Sequence, residues 1–381
     1  MKILVIGAGV LGLTTAYNLV TDGHDVTIVD KTGPYAEASS RSFAWINANH
    51  KLPAEYHRLN RAGIAAHEEF QKRFASHGTW FHQHGCVMFD SSIDKPTGID
   101  ERFDESAELD YPVERIDSDS LRELEPAVSW PTDSGLFFPL EAHLDNEAFG
   151  SLVEGFLEEA DVVPEVAEVV RVETNVDGTS VEFADGDTRI FDQVIIAAGA
   201  DSGMIADRSG LLLPVADLSQ PGPRTHSLLG VTAPTDVNLN RIIISDKINV
   251  RPRSDGSMFV QIPSVEARTE EGETPELLDE VQTVMEAELE SLFGQHIPVD
   301  KVIFSGRSFP EDGLSIVGYL DEHHRAYSLV THSGMTMAAL LGRLVADEVR
   351  GDASQLLDVF RPSRFAEGVT PESPTNFIGR Q

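Results

Sequence analysis

A glycine-rich turn between a short apolar strand and a helix constrains this chain more than any other feature. Residues 2–6 form an apolar run that is typical of a strand buried on both faces. The turn has the pattern G-x-G-x-x-G, and residues 13–20 continue it as a helix. A second apolar run, 26–29, ends at an acid. The residues that define the pattern are Gly7, Gly9, Gly12 and Asp30. This order predicts a parallel βαβ unit of the Rossmann type.

Each position in this unit has a mechanical reason. Gly7 permits the tight turn, Gly9 lets a pyrophosphate approach the backbone, and Gly12 lets the helix pack closely on the strand. The free N–H groups of the first helical turn favour phosphate. An acid at the end of the second strand accepts hydrogen bonds from a ribose and disfavours a 2′-phosphate. We therefore predict a dinucleotide of the NAD or FAD type, bound also by Val10, Leu11 and Lys31.

Composition excludes several classes of protein. The chain has 63 Asp and Glu against 29 Lys and Arg, a formal net charge of −34. Nucleic acids and anionic membranes are polyanions, so neither is expected as a partner. Hydrophobic residues make up 41% of 381 residues, which suits two packed domains. The single cysteine, Cys86, cannot form an intrachain disulfide and favours the reducing cytoplasm, and we predict no membrane-spanning segment.

The rest of the chain does not continue as the further βα units expected of an NAD enzyme. A polar loop, 31–38, leads to Ser39-Ser40-Arg41, and a long helix is predicted from about Pro53 to Ala75. Later, residues 181–190 indicate a β-hairpin that turns at Asp185-Gly186. A buried strand follows and ends in Ala-Ala-Gly-Ala at 197–200, small residues that allow a close approach to a cofactor.

With these segments in place, the sequence resembles the D-amino-acid oxidase superfamily of FAD-dependent oxidoreductases. This group includes glycine and sarcosine oxidases and bacterial D-amino-acid dehydrogenases. The resemblance implies that the loop of Ser39, Ser40 and Arg41 lies along the pyrophosphate and ribitol of FAD. It also implies two strands, 162–169 and 194–200. In the family, a backbone amide near Val169 contacts the adenine, and the segment of Ala198 and Gly199 lies near the phosphates.

A block near the carboxyl end carries the rest of the resemblance. Residues 306–318 are similar to the family's Gly-Leu-Arg-Pro and Pro-Asp-Gly pattern, although Arg307 is followed by serine here. Residues 331–337 (Thr-His-Ser-Gly-Met-Thr-Met) lead into a helix, whose positive end would stabilise negative charge on the flavin. Gly334, Met335 and Thr336 are the implied flavin contacts. Some members attach flavin covalently through a Cys or His, but Cys86 is far from this block in the sequence and residues 39–44 contain no histidine, so FAD is expected to bind non-covalently.

The resemblance implies an α/β chain, α+β overall, in which a Rossmann-like FAD-binding domain is interleaved with an antiparallel-sheet substrate domain. The FAD-binding domain would take residues 1–78, 145–215 and 302–381. The substrate domain would take 79–144 and 216–301. Apolar residues at three- and four-residue steps over 275–293 predict an amphipathic helix in the second of these segments.

The implied reaction is oxidation of the C–N bond of a small amine or amino acid by hydride transfer to flavin N5. Two alternatives stay open: a flavin-dependent 2-hydroxy-acid dehydrogenase, and a flavin-binding subunit without its own turnover. Sarcosine-type oxidases activate oxygen with a lysine, and neither Lys247 nor Lys301 can be placed there from the sequence. Oxygen and a redox partner therefore remain alternative electron acceptors, and the substrate and the oligomeric state stay open.

Five residues are candidates for the substrate side. Arg307 suits a substrate carboxylate, or alternatively ties down its own loop. Arg251 is a second candidate, although a sheet edge facing solvent is the favoured interpretation. His332 is expected beside the flavin, as a wall or a proton acceptor. His50 could reach the substrate face or cap the loop, and Trp45 could flank the flavin or belong to the core.

Alternating residues in the segment 81–90 suggest a metal site that we do not favour. On one strand, His82, His84 and Cys86 would share a face. The resemblance places this strand at the entry to the substrate domain, where no metal is needed. We expect it to border the substrate cavity, with His84 as a substrate contact.

Overall fold

The computed structural model describes residues 1–91 and 98–365. Its helices are α1 Val10–Thr21, α2 Ala54–Arg73, α3 Ile99–Glu108, α4 Ser118–Leu124, α5 Asn146–Glu159, α6 Ser202–Arg208, α7 Pro275–Phe293 and α8 Gly334–Val349. Its strands are β1 Lys2–Ile6, β2 Asp25–Asp30, β3 Trp45–Ile46, β4 Phe81–His82, β5 Cys86–Phe89, β6 Glu114–Asp117, β7 Ser134–Phe138, β8 Ala142–Leu144, β9 Glu165–Val166, β10 Val169–Asn175, β11 Gly178–Phe183, β12 Thr188–Phe191, β13 Gln193–Ile196, β14 His226–Thr232, β15 Ile242–Ser245, β16 Asn249–Pro252, β17 Met258–Gln261, β18 Val299–Gly306, β19 Ile316–Tyr319 and β20 Ala326–Val330.

The predicted α/β architecture is confirmed, and its first layer is a six-stranded sheet in the order β19-β20-β13-β1-β2-β9. β1 pairs in parallel with both β2 and β13, as a βαβ unit requires. Ile3 and Val5 face α1 and α8, while Leu4 and Ile6 face the small sheet β10-β11-β12 and α6. Both faces of the sheet are covered at its centre, so β1 is apolar and buried from Ile3 to Ile6.

The second layer is an eight-stranded sheet in the order β18-β14-β17-β16-β15-β5-β7-β6. It is antiparallel except where β5 and β15 pair in parallel, because these strands come from the two separate chain segments that build the sheet. Helix α7 covers one face with Val281, Met285 and Leu289. The opposite face points towards the first layer. The fourth sheet in the described part of the chain has the order β3-β8-β4.

The division into two interleaved domains remains our proposal. The expected boundary near residue 302 falls inside β18, which pairs with β14 along its length. A boundary after Gly306 keeps that strand with its sheet. Residues 366–381 of the predicted FAD-binding segment, and 92–97 of the predicted substrate segment, lie outside the described residues.

Three local predictions were wrong. The strand predicted over 162–169 is instead the short β9, followed by β10 from Val169. The strand predicted over 194–200 ends at Ile196 and is followed by a 3-10 turn. His82 and Cys86 belong to different strands because Gly85, with φ of 86°, turns the chain between them.

No helix in the ranges 1–91 and 98–365 is long and apolar enough to cross a membrane.

Candidate active site

A cavity of about 360 Å³ runs from the carboxyl ends of β1, β2 and β13 to the start of α8. It brings together most of the residues predicted to bind a cofactor or to act on a substrate. These are Gly7, Gly9, Val10, Leu11, Asp30, Lys31, Ser39, Arg41, Val169, Ala198, Gly199, Arg307, His332, Gly334 and Met335. Gly12, Ser40, Thr336, Arg251 and His50 do not line it.

The glycine turn is packed so closely that side chains would not fit. Gly7 has φ of 104°, and a Cβ there would lie 2.4 Å from the carbonyl oxygen of Ala197 in the neighbouring segment. A Cβ on Gly12 would lie 1.9 Å from the carbonyl oxygen of Gly7. The chain therefore turns directly from β1 into α1, and Gly9, Val10 and Leu11 at the start of this helix line the cavity.

Asp30 is held in place by backbone donors. Its Oδ2 accepts a hydrogen bond from the N–H of Ala8 at 2.8 Å, and its Oδ1 accepts from Thr32 and Gly33 at 2.9 and 3.1 Å. The carboxylate thus links the glycine turn to the end of β2 and stands at the cavity wall. This is the position from which it could accept hydrogen bonds from a ribose.

The loop that carries Ser39 closes over the start of α1. The N–H of Val10 donates to the Ser39 hydroxyl at 2.9 Å. Two basic side chains at the rim are paired: Arg41 with Glu37 at 3.2 Å, and Lys31 with Asp201 at 2.6 Å. Their charges are partly neutralised, so the N–H groups and the dipole of α1 remain important for binding an anion here.

The prediction that Arg251 lies at a sheet edge facing solvent was wrong, and its side chain helps to hold the loop that carries Ser39. Arg251 is 1% exposed on β16, between β15 and β17. Its guanidinium donates to the carbonyl oxygen of Phe43 and, at 3.0 Å, to Oδ1 of Asn146. Asn146 in turn donates to the carbonyl oxygens of Ser39 and Ser42 at 3.0 and 2.9 Å. Sequence reasoning missed Asn146, because nothing local links it to a loop about a hundred positions away.

The start of α8 is braced by α2 and β3. His67 donates from Nε2 to the carbonyl oxygen of Met335 at 2.8 Å, and burial lowers the pKa of His67 to about 4. Tyr56 and Ser333 share a hydrogen bond of 2.8 Å. The hydroxyl of Thr336 donates to the carbonyl oxygen of Trp45 at 3.4 Å. Gly334 and Met335 are thereby fixed against the cavity with their N–H groups at the positive end of the helix.

Arg307 lines the cavity but is also part of a buried ion pair. Its Nη2 lies 2.8 and 3.0 Å from the two carboxylate oxygens of Glu266, and its Nη1 donates to the carbonyl oxygen of Pro223 at 3.0 Å. Arg307 is 8% exposed and Glu266 4%. Glu266 belongs to the 3-10 helix Pro263–Glu271 and does not line the cavity, so it holds the guanidinium from behind.

His332 is neutral in this site. Burial, together with the positive charges of Arg307 and Lys51, lowers the pKa of its imidazole to about 3. Its ring packs edge-on against Phe309, with 5.4 Å between centroids. Burial also lowers the pKa of Lys51 to about 8. Sequence reasoning did not single out Lys51, although it directly follows His50.

A polar network beneath β3 was also missed. Glu141 is fully buried and accepts hydrogen bonds from Trp45 Nε1 at 2.7 Å and from Asn49 Nδ2 at 2.5 Å. Burial raises the pKa of its carboxyl group to about 7. His50, expected to cap the loop or reach substrate, lies 2.6 Å from Glu105 of α3.

The histidines of the segment 81–90 lie away from the cavity. His82 stacks on His143 with 4.8 Å between ring centroids, and His84 is exposed. Neither residue lines the large cavity, so the substrate contact of His84 stays a prediction that the cavity does not support. Among the described residues, no group of three His, Cys, Asp or Glu side chains could hold a metal ion.

The model of the family described as FAD dependent oxidoreductase (DAO) matches residues 2–348. The chain belongs to this family. Proteins of this family depend on FAD, and the cavity has the features expected of an FAD site. A glycine turn, an acid at the end of β2 and two helix N-termini converge on it.

Two sequence relatives of this DAO family chain are D-amino acid dehydrogenases by name. A D-amino acid dehydrogenase of Sinorhizobium medicae is 24% identical over 274 residues, 56% of this chain and 65% of that protein. One from Rhizobium rhizogenes is 58% identical over 40 residues, 10% of each chain. The chain thus spans less than two thirds of the length of these relatives.

Solved structures match over nearly the whole chain. Glycine oxidase from Geobacillus kaustophilus has a TM-score of 0.81 at 17% identity, covering 95% of this chain and 99% of that one. L-amino acid deaminase from Proteus vulgaris has a TM-score of 0.80 at 17% identity, covering 96% and 97%. At these identities the likeness shows a shared fold.

Proposed function

We propose that this chain holds FAD non-covalently in the large cavity and oxidises the C–N bond of a small amino acid or amine. One observation carries the proposal: a single cavity joins the N-terminus of α1, the N-terminus of α8 and the side chains of Arg307 and His332. The first helix suits the pyrophosphate and the second suits the anionic edge of a flavin. Asp30 and Val169 are assigned to the adenosine end.

The chain's own residues would bind and orient the substrate. When bound, FAD supplies the hydride acceptor at flavin N5. Arg307, fixed by Glu266, directs a positive charge towards a substrate carboxylate. His332 is neutral near pH 7, so it adds no charge that would repel an amine. The N–H groups at the start of α8 stabilise negative charge that develops on the cofactor.

The experiment is anaerobic flavin reduction. The purified protein should absorb at about 450 nm as flavoproteins do, and acid precipitation should release the flavin. D-amino acids, L-amino acids and N-methyl amino acids are then screened for bleaching, with the carbonyl product and the released amine measured. A colourless protein that FAD cannot reconstitute would overturn the proposal. If only 2-hydroxy acids bleach the flavin, the group that is oxidised is an alcohol and not an amine.

The same preparation tests the electron acceptor. Admitting air to the reduced protein and following the return of flavin absorbance separates two cases. Rapid return identifies oxygen as the acceptor, and slow return identifies a redox partner. The sequence relatives are dehydrogenases by name, which supports the second case.

A further inference from the structure

The large sheet carries polar side chains on the face that points towards the cavity. Residues paired across neighbouring antiparallel strands share a face. Leu228, Val250 and Val260 pack on α7, and therefore Ser227, Asn249 and Gln261 face the other way. A polar row in the middle of a buried sheet costs free energy unless its groups find hydrogen-bond partners.

Two of these side chains, Gln261 and Asn249, have an amide oxygen that accepts no hydrogen bond within the described part of the chain. Gln261 lines the cavity and is 4% exposed, and Asn249 is 8% exposed. In the described part of the chain, neither Oε1 of Gln261 nor Oδ1 of Asn249 has a hydrogen-bond partner. The two residues are direct partners in the ladder between β16 and β17. Gln261 thus brings an unpartnered amide oxygen to the cavity wall, and Asn249, which does not line the cavity, is its neighbour in the sheet.

We propose that Gln261, supported by Asn249, selects an amino-acid substrate whose side chain carries an uncharged hydrogen-bond donor, a hydroxyl or a carboxamide. This inference rests on the proposed function. An apolar substrate side chain would leave Oε1 of Gln261 buried and unpaired, which is the basis of strong discrimination in polar pockets.

The layout of the sheet supports this assignment. Arg307 directly follows β18, and the strand order β18-β14-β17 places Gln261 two strands away. The N–H of Arg307 donates to Thr225, whereas Val260 pairs with Gly230, so Gln261 is also offset from Arg307 by about four residues along the strands. Two strand spacings and this offset separate the two backbones by about 16 Å. Because both side chains line the cavity, they shorten this gap to one that a small amino acid can span.

The charges around the cavity argue for an uncharged donor. Among the described lining residues, the acids are Asp30, Glu37, Glu168 and Asp201. They cluster at the opposite end, around Lys31 and the end of β2. A cationic side chain next to Gln261 would therefore be buried without a counter-charge, which is far more costly than burying a hydroxyl.

The test uses isosteric substrates on the FAD-loaded protein. Threonine and valine, and likewise asparagine and leucine, are compared in both enantiomers by the rate of anaerobic flavin reduction. We expect the polar member to be preferred by about tenfold to a hundredfold. Gln261→Leu should abolish the preference. Gln282→Leu makes the same change on α7, behind the sheet, and should leave it intact.

A binding measurement separates this inference from the proposed function. The carboxylates 3-hydroxybutanoate and 3-methylbutanoate lack the amine and differ by hydroxyl against methyl. The hydroxyl compound should raise the melting temperature of the holoprotein more, and Gln261→Leu should remove the difference. If the compounds discriminate but no amine bleaches the flavin, the proposed reaction fails and the recognition stands.

Two results would overturn the inference itself. One is equal reduction by polar and apolar members of each pair in the unmodified protein. The other is a change of the flavin absorbance spectrum in Gln261→Leu without substrate, because Gln261 would then contact the cofactor.

Discussion

Gly12 shows how much depends on a single missing methyl group. Gly12→Ala would force its Cβ into the carbonyl of Gly7, 1.9 Å away, and push α1 from β1. Overpacking of this kind costs about 1–3 kcal/mol of unfolding free energy. We expect a lower melting temperature and FAD affinity weakened at least about tenfold, measured by titrating the apoprotein with FAD.

Gly155→Ala is the matched control. Its Cβ would meet nothing within 4 Å, and the residue lies within α5. Alanine is the better helix former, so this variant should be as stable as the parent or more stable by about 0.5–1 kcal/mol. Equal behaviour of the two variants would mean that the contact of α1 with β1 is not needed for FAD.

Arg307 is the second residue with a sharp expectation. Arg307→Ala should raise KM for carboxylate substrates by about 10–100-fold, because a charge-assisted pair is lost. Arg224→Ala is the control, since Arg224 pairs with Glu311 at 2.5 Å farther along the same loop. A lowered melting temperature with unchanged KM would assign Arg307 to the loop alone.

Single residues also show where sequence reasoning stops. The positions of Gly7, Gly12 and Asp30 could be predicted because their reasons are local: a turn, a close packing contact and the end of a strand. The burial of Arg251 could not be predicted, because its partners lie at positions 43 and 146. The position of Gln261 at the cavity could not be predicted either, because only the pairing of the strands shows on which face of the sheet its side chain lies.

At the scale of elements, Glu141 couples β3 to the loop before α2. Burial raises its pKa from an ordinary 4.5 to about 7, so between these values the folded chain keeps a proton that the unfolded chain releases. The contribution of Glu141 to the free energy of unfolding is therefore largest below pH 4.5 and is lost as the pH rises to 7. The loss amounts to about 3 kcal/mol.

Glu141→Gln should flatten this dependence, because an amide does not titrate. The melting temperature of the apoprotein is compared at pH 5 and pH 8 for both forms, and the difference should be smaller in the variant. Glu290→Gln, at an exposed position of α7, should behave as the parent does. An unchanged difference in Glu141→Gln would show that the carboxylate is already ionised at pH 5.

Elements with complete local signals were predicted well. Helix α7 was predicted over 275–293 and spans Pro275–Phe293, with Thr274 capping its first turn and Gly294 in the left-handed conformation after its end. The strand predicted over 162–169 failed because β9 is only two residues long and its pairing with β2 is not visible in a local pattern. Hydrophobic periodicity indicates strands of ordinary length better than such short ones.

For the whole molecule, the net charge of −34 is the property with the most direct consequence. Like charges on the surface repel one another and destabilise the compact state, and at physiological ionic strength salt largely screens the repulsion between charges more than about 8–10 Å apart. We expect the melting temperature to rise between low salt and molar NaCl. Sucrose at matched osmolality is the control for a general solute effect. A melting temperature that stays constant or falls with NaCl would mean that ion pairs already offset the repulsion between the surface carboxylates.

The cofactor cavity is assembled from opposite ends of the described chain. Helix α1 packs against α8, where Gly342 meets the backbone of Thr14, and Thr336 reaches the carbonyl of Trp45 across 291 positions. During synthesis, residues 1–30 leave the ribosome long before α8 exists, so the first βα unit must wait without its partner helix. The cavity wall that Gly334 and Met335 form is therefore absent until α8 has emerged, and we expect stable loading of FAD to follow the docking of α8 on α1.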